Sequence, residues 1–261
     1  MRSKSKKRQR GSGKKGIYVL PSLFTSASLF GGFYAIIAAI QGRYETAAIA
    51  ILLSSVFDAL DGKIARVTKT SSHFGAEYDS LSDLVAFGVA PAVLSFQWAL
   101  QPFGRLGWLA CFMFVICGAL RLARFNVQRD HAGSSYFKGL PIPGAASLIA
   151  ATVLFYTELE VEPGSQNILM IVMMYVLSFL MVSTIEYISL KKFELKKQRP
   201  FNVLVSIILF LIVIAYKPKI MLFLILAAYV VSGPLLSIFR HRQKVPEARV
   251  LSEETPQAKK D

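Results

Sequence analysis

Cysteine is nearly missing from this chain of 261 residues, with only Cys111 and Cys117 present. A disulfide framework or a thiolate zinc site needs more sulfur at suitable spacing, so both are excluded. The pair falls on different faces of one helix and reads as small apolar packing residues. Histidine is scarce too: His73, His131 and His241 are scattered along the chain and read as solvated side chains. Acidic residues number 16 against 30 basic ones, for a net charge of +14. No short apolar core with a cleavage site follows the basic residues 1–15, which excludes a cleaved signal peptide there. What the chain has in abundance is apolar surface: 54% of its residues are hydrophobic, and its mean hydropathy is +0.47.

The apolar residues fall into eight runs, at about 23–40, 46–60, 84–100, 106–120, 144–156, 168–190, 201–216 and 220–239. A bilayer-spanning helix takes roughly 17–25 residues. The second run must therefore extend past Asp58, and the third must begin near Asp79. The composition predicts an all-α integral membrane protein with about eight transmembrane helices. Residues 16–24, broken by Pro21, are expected to form a short interfacial segment before the first span. Residues 1–15 read as a disordered basic tail, 16–239 as one membrane domain and 240–261 as a second disordered tail.

The charge follows this topology. With the N-terminus inside the cell, the basic residues left outside are Arg43, Arg105, Lys217 and Lys219, and the loop after the fifth run carries Glu158, Glu160 and Glu162. That is the positive-inside pattern. It removes the need for a nucleic-acid partner and predicts that both termini and the longer loops face the cytoplasm, with membrane lipids as the surrounding partner.

Against this apolar background stand four aspartates. Asp58 and Asp61 are spaced i,i+3 at the close of the second run, and Asp79 and Asp83 i,i+4 at the opening of the third. Each pair shares a helix face. An ionised carboxylate at membrane depth is costly and seldom present without a task. If the two runs are antiparallel neighbours, all four acids converge at one membrane surface and form a site for hard divalent cations. Paired with Lys63, Lys69 and Arg66, they would instead make a solvated ion network. Four acids at this spacing beside Gly62 and Gly75 disfavour that.

Written out, the segment is Asp58-x2-Asp61-Gly62-x2-Ala65-Arg66-x8-Gly75-x3-Asp79-x3-Asp83. It resembles the signature of the CDP-alcohol phosphotransferase family, integral membrane enzymes that move a phosphatidyl-type group from a CDP-linked lipid to an alcohol and release CMP. The resemblance implies a CDP-alcohol phosphotransferase-like bundle and two divalent ions, Mg²⁺ or Mn²⁺. It implies that Asp58, Asp61 and Asp79 hold metal and that Asp83 is general base, further ligand or both. Gly62, Ala65, Arg66, Gly75 and Thr25 are implied as contacts of the CDP-lipid: glycine lets backbone approach closely, and the Arg66 fork suits phosphate oxygens. A homodimer is implied in the same way, and a bacterial inner membrane is the expected location.

Two further stretches bear on the acceptor. GALRLARFNV brings Arg121, Arg124 and Asn126 to the inner surface, and YFKGLPIPGAA follows at 136–146. Together they resemble the phosphatidylserine synthase branch, which implies CDP-diacylglycerol and L-serine as substrates. Arg121 or Arg124 would clamp the serine carboxylate, with Asn126 nearby and Pro141 and Pro143 shaping the rim. In that branch asparagine more often stands where Ser22 and Ser28 stand here. Other acceptors (glycerol 3-phosphate, inositol phosphate, choline) share the reaction type. A membrane cation transporter would need polar residues continuing across the bilayer, and these runs have apolar centres.

Overall fold

The structure is a computed structural model that describes residues 19–68, 73–129, 137–161, 163, 168–187 and 217–253. Helix α1 (Val19–Ile40) turns back through a tight loop into α2 (Tyr44–Thr68). A long helical rod follows, divided into α3 (His73–Asp83), a π-helical segment (Leu84–Val89), α4 (Ala90–Ser95), a second π segment (Phe96–Leu100) and a 3₁₀ turn (Gln101–Phe103). Then come α5 (Arg105–Arg129), strand β1 (Phe137–Lys138), α6 (Ile142–Glu158), α7 (Ile168–Val182), strand β2 (Glu186–Tyr187) and α8 (Pro218–Glu253). The two strands pair antiparallel, Phe137 opposite Tyr187 and Lys138 opposite Glu186.

Small residues let these helices meet closely. Ala35, Ala38 and Ala39 of α1 and Ala47, Ala48 and Ile51 of α2 are all buried. A side chain at Gly31 would collide with Ser54 of α2, and one at Gly32 with Ala86 of the first π segment. This adjacent glycine pair is therefore where α1 is received by two neighbours at once. Helix α6 forms the centre, buried from Ala145 to Leu154. Around it, Phe30, Phe33, Leu53, Phe112 and Phe179 stay exposed, as side chains facing lipid do.

The expectation of about eight spans is corrected. Among the described residues, four helices are long and apolar enough to cross a membrane: Ser22–Ile40, His73–Phe103, Arg105–Val127 and Pro218–Ser237. Ile142–Glu158 and Ile168–Val182 are apolar but shorter. Helix α2 has the length, 25 residues, but Asp58, Asp61, Lys63 and Arg66 interrupt its apolar character. The seventh run, 201–216, lies outside the described residues, as does the basic tail 1–15.

Other boundaries also shift. Residues 19–24 are not a separate interfacial segment but the start of α1, where Pro21 fits because first-turn N–H groups have no helical partner to lose. The sixth run was expected to reach residue 190, yet α7 stops at Val182 and Glu186 lies on β2. Helix α8 runs past Arg240, the expected start of a tail, to Glu253. Its last stretch, RHRQKVPEARVLSE, is rich in good helix formers, with Pro246 the exception.

The bundle has two distinct ends. At one, Lys219 Nζ lies 2.8 Å from Glu45 and 3.7 Å from Glu158, joining the ends of α8, α2 and α6. The four aspartates lie toward the other.

Candidate active site

Asp58 and Asp61 project from the distal part of α2, and Asp79 and Asp83 from α3. Folding brings them together as the antiparallel arrangement requires. Asp58, Asp61 and Asp79 each offer one carboxylate oxygen, and these oxygens all lie within 4.8 Å of one another. Asp83 is within hydrogen-bonding reach of Asp58. Carboxylates this close repel unless a proton or a cation lies among them. The donor set, all hard oxygen and part-buried, fits a divalent cation of the Mg²⁺ or Mn²⁺ type.

Each acid is set by its surroundings. Asp61 is only 5% exposed. Its Oδ2 accepts a hydrogen bond from Thr25 Oγ1 at 2.9 Å, and the Gly62 backbone N–H also bonds to it. Thr25 is held in turn, because Ser82 Oγ donates to its carbonyl at 3.1 Å. Ser28 Oγ donates to the Ser54 carbonyl at 3.1 Å. Three helices are thus cross-linked directly behind the acids. The hydroxyl of Thr25, implied by resemblance to contact the CDP-lipid, is engaged with Asp61. Asp83 ends α3 where the π segment begins. Such wide turns are frequent at functional sites, and this one changes the direction in which following side chains leave the rod.

The remaining implied residues divide. Gly62 lies next to Asp61 on α2, and Gly75 lies in the first turn of α3. Ala65 and Arg66 are on α2, with side chains outside the described residues. Asn126 is turned toward α3: its Nδ2 donates to Ser80 Oγ at 3.0 Å and to Glu77 at 3.3 Å. Arg124 Nη1 donates to the Val182 carbonyl at 3.4 Å and so caps the last turn of α7. Arg121 interacts electrostatically with Asp83 and with Tyr229 of α8. Its Nε is buried and has no hydrogen-bond partner among the described residues. The ion pairs among the described residues are those of Lys219, at the opposite end.

The FKGLPIP stretch is structural in a specific way. Gly139 adopts φ +82°, and a side chain there would run into the Met181 carbonyl. Its N–H donates to Ile185 at 2.8 Å, and the Leu140 N–H donates to Leu180 at 3.0 Å. The segment therefore satisfies carbonyls at the end of α7 before Pro141 starts α6. Sequence reasoning missed Tyr229 altogether. The signal available was one phenol within an otherwise apolar span, AAYVVSG.

Residues 18–182 match the CDP-alcohol phosphatidyltransferase family. The chain belongs to that family. Among curated relatives, it is 35% identical over 223 residues to the CDP-diacylglycerol–serine O-phosphatidyltransferase of Helicobacter pylori strain J99, covering 85% of this chain and 92% of that protein. The archaetidylserine synthase of Methanothermobacter thermautotrophicus is 41% identical over 172 residues, covering 64% of this chain and 69% of that protein. The Saccharomyces cerevisiae CDP-diacylglycerol–serine O-phosphatidyltransferase is 41% identical over 134 residues, covering 46% of this chain and 48% of its own length.

Proposed function

We propose that this chain transfers the phosphatidyl group of CDP-diacylglycerol to the hydroxyl of L-serine, giving phosphatidylserine and CMP. The convergence of Asp58, Asp61, Asp79 and Asp83 from two helices carries the reaction class. The names of the bacterial, archaeal and yeast relatives support the acceptor: two are named for transfer from CDP-diacylglycerol to serine, and the third for making archaetidylserine. The bacterial relative, matched over most of both chains, favours the diacylglycerol donor over an archaeal-type lipid.

The protein supplies three things. Asp58, Asp61 and Asp79 hold divalent metal, two ions of Mg²⁺ or Mn²⁺ in this reading. Bound there, the metal offsets diphosphate charge and makes phosphorus more electrophilic. Gly62, Ala65, Arg66 and Gly75 line the approach of the CDP group. Arg121 faces Asp83 and orients the acceptor by its carboxylate, which turns the serine hydroxyl toward Asp83. Asp83 takes the hydroxyl proton as the serine oxygen bonds to the phosphorus bearing diacylglycerol. The bond from that phosphorus to the bridging oxygen breaks, and CMP leaves with its electron pair.

The charge distribution supports a cytoplasmic location for this site and for both termini, in an inner membrane. The homodimer belongs to the same reading on family resemblance. The test is an acceptor panel: purified protein with CDP-diacylglycerol, Mn²⁺ or Mg²⁺, and serine, glycerol 3-phosphate or inositol phosphate supplied separately. CMP release only with serine is expected. Release only with glycerol 3-phosphate would overturn the serine assignment and leave the reaction class standing.

A further inference from the structure

Helix α8 has no motif, yet its Tyr229 interacts electrostatically with Arg121. Tyr229 lies within the span Pro218–Ser237, where residues 224–231 are otherwise Ala, Leu, Ile and Val. A phenol in such a span normally needs a partner for its hydroxyl. No hydrogen bond to that hydroxyl is seen among the described residues, although those of its neighbours are accounted for. Ser232 Oγ donates to the Tyr229 carbonyl at 2.7 Å, and the Tyr187 hydroxyl donates to the Val230 carbonyl at 3.3 Å.

The ring of Tyr229 is nonetheless held. Its centroid lies 5.9 Å from that of Tyr187, tilted by 46°. On another side, its edge lies 3.4 Å from where a side chain of Gly144 would begin. Tyr187 is itself only 2% exposed, seated in the notch left by Gly233, where any side chain would strike its ring. Tyr187 reaches this notch from β2, tied by β1 to the lead-in of α6. Four chain segments thus fix the orientation of one phenol.

That phenol and Arg121 flank the same end of α6: Gly144 meets Tyr229, and Gly118, one turn before Arg121 on α5, meets Ile142, and the two groups interact electrostatically. The unpartnered Nε of Arg121 belongs to the guanidinium edge, formed by Nε and one Nη, that meets a carboxylate with two parallel hydrogen bonds. Asp83 also interacts electrostatically with this guanidinium. An acceptor between them would put a carboxylate against Arg121 and a hydroxyl, borne on the carbon next to its α-carbon, against Asp83. The carboxylate has lone pairs left over, and the phenol of Tyr229 is a donor without a partner among the described residues.

We propose that Tyr229 is a specificity-determining residue, its hydroxyl donating, alongside the Arg121 guanidinium, to the carboxylate of the acceptor. The inference rests on the serine reading above and adds to it a residue from a helix outside the family match, which ends at residue 182. It makes the last helix part of the acceptor site and not only a wall of the bundle.

The test is steady-state kinetics on full-length Tyr229→Phe, which keeps the ring packing and removes the donor. Loss of one hydrogen bond to a charged group raises the apparent KM for serine about tenfold. The KM for CDP-diacylglycerol and kcat stay within about twofold of wild type. Tyr187→Phe is the packing control: it loses the bond to Val230 and is expected to leave the serine KM unchanged. A serine KM unchanged in Tyr229→Phe would overturn the inference. So would an equal rise in both substrates' KM, or the same serine defect in Tyr187→Phe. If Tyr229→Phe does not fold, a folded Tyr229→His, whose shorter ring cannot bring a donor to the place of the phenol hydroxyl, is expected to show the same selective rise in serine KM, and an unchanged serine KM in it also overturns the inference. Failure of the serine reading would show in the wild type, as CMP release with another acceptor, whereas failure of this inference shows only in the variants.

Discussion

Thr25 and Asp61 are joined by a hydrogen bond of 2.9 Å between α1 and α2, across 36 positions of sequence. Asp61 is proposed to hold metal, and in metal sites loss of the outer partner that orients a ligand typically lowers metal affinity or activity by 10–100-fold. Thr25→Val keeps the shape and removes the donor. The Mn²⁺ concentration for half-maximal CMP release is expected to rise at least about tenfold in this variant. An unchanged metal titration would show that Asp61 needs no such support.

Asp83 and Asp61 should separate experimentally. Asp83→Asn is expected to abolish CMP release while CDP-diacylglycerol still binds in the presence of Mn²⁺, as measured by scintillation proximity or calorimetry. Asp61→Asn is expected to lose both. Equal loss of binding in the two variants would make Asp83 a metal ligand rather than the base.

The arginines of LRLARFN should part as well. Arg121→Gln is expected to raise the serine KM well above tenfold, the cost of a bidentate charged contact. Arg124→Gln removes the cap on Val182 and is expected to lower the melting temperature in detergent by a few degrees, with a smaller change in serine KM. The reverse ranking would exchange their roles.

Gly31 meets α2 at Ser54, and its projected side chain also lies 3.4 Å from the Ala50 carbonyl. Gly31→Val is expected to destabilise the bundle by about 1–3 kcal/mol through overpacking. Thermal unfolding followed by size-exclusion chromatography would register it as early aggregation. Wild-type behaviour of this variant would mean that α1 and α2 have room to move apart.

Lys219 offers a control at the far end. Its pairs with Glu45 and Glu158 are partly exposed, and such pairs contribute at most about 1 kcal/mol. Lys219→Met should keep turnover within about twofold of wild type. A large loss of activity would mean that this end takes part in the reaction.

The acids were legible because their chemistry is local. Carboxylates at i,i+3 and i,i+4 at the ends of apolar runs announce the helix face they share, and the structure gathers three of them into a cluster that could hold a cation. The buried role of α6 was not legible, because an apolar run of 17 residues reads alike whether it meets lipid or protein. Arg121 and Arg124 look equivalent in sequence, and only the position of α7 separates a capping residue from one that faces Asp83. Tyr229 was invisible for the same reason: its neighbours Arg121, Gly144 and Tyr187 lie far from it along the chain. The π segment after Asp83 was not read either, although Pro91, which lacks an N–H for the helix ladder, stood two residues beyond it as a signal.

Lys219 fastens three helix ends at the face away from the carboxylates. Because those pairs add little stability, the carboxylate end keeps its shape through its own ties, Thr25 to Asp61 and Ser82 to the Thr25 carbonyl. The acids thus carry their own scaffold, independent of how firmly the distant end is closed.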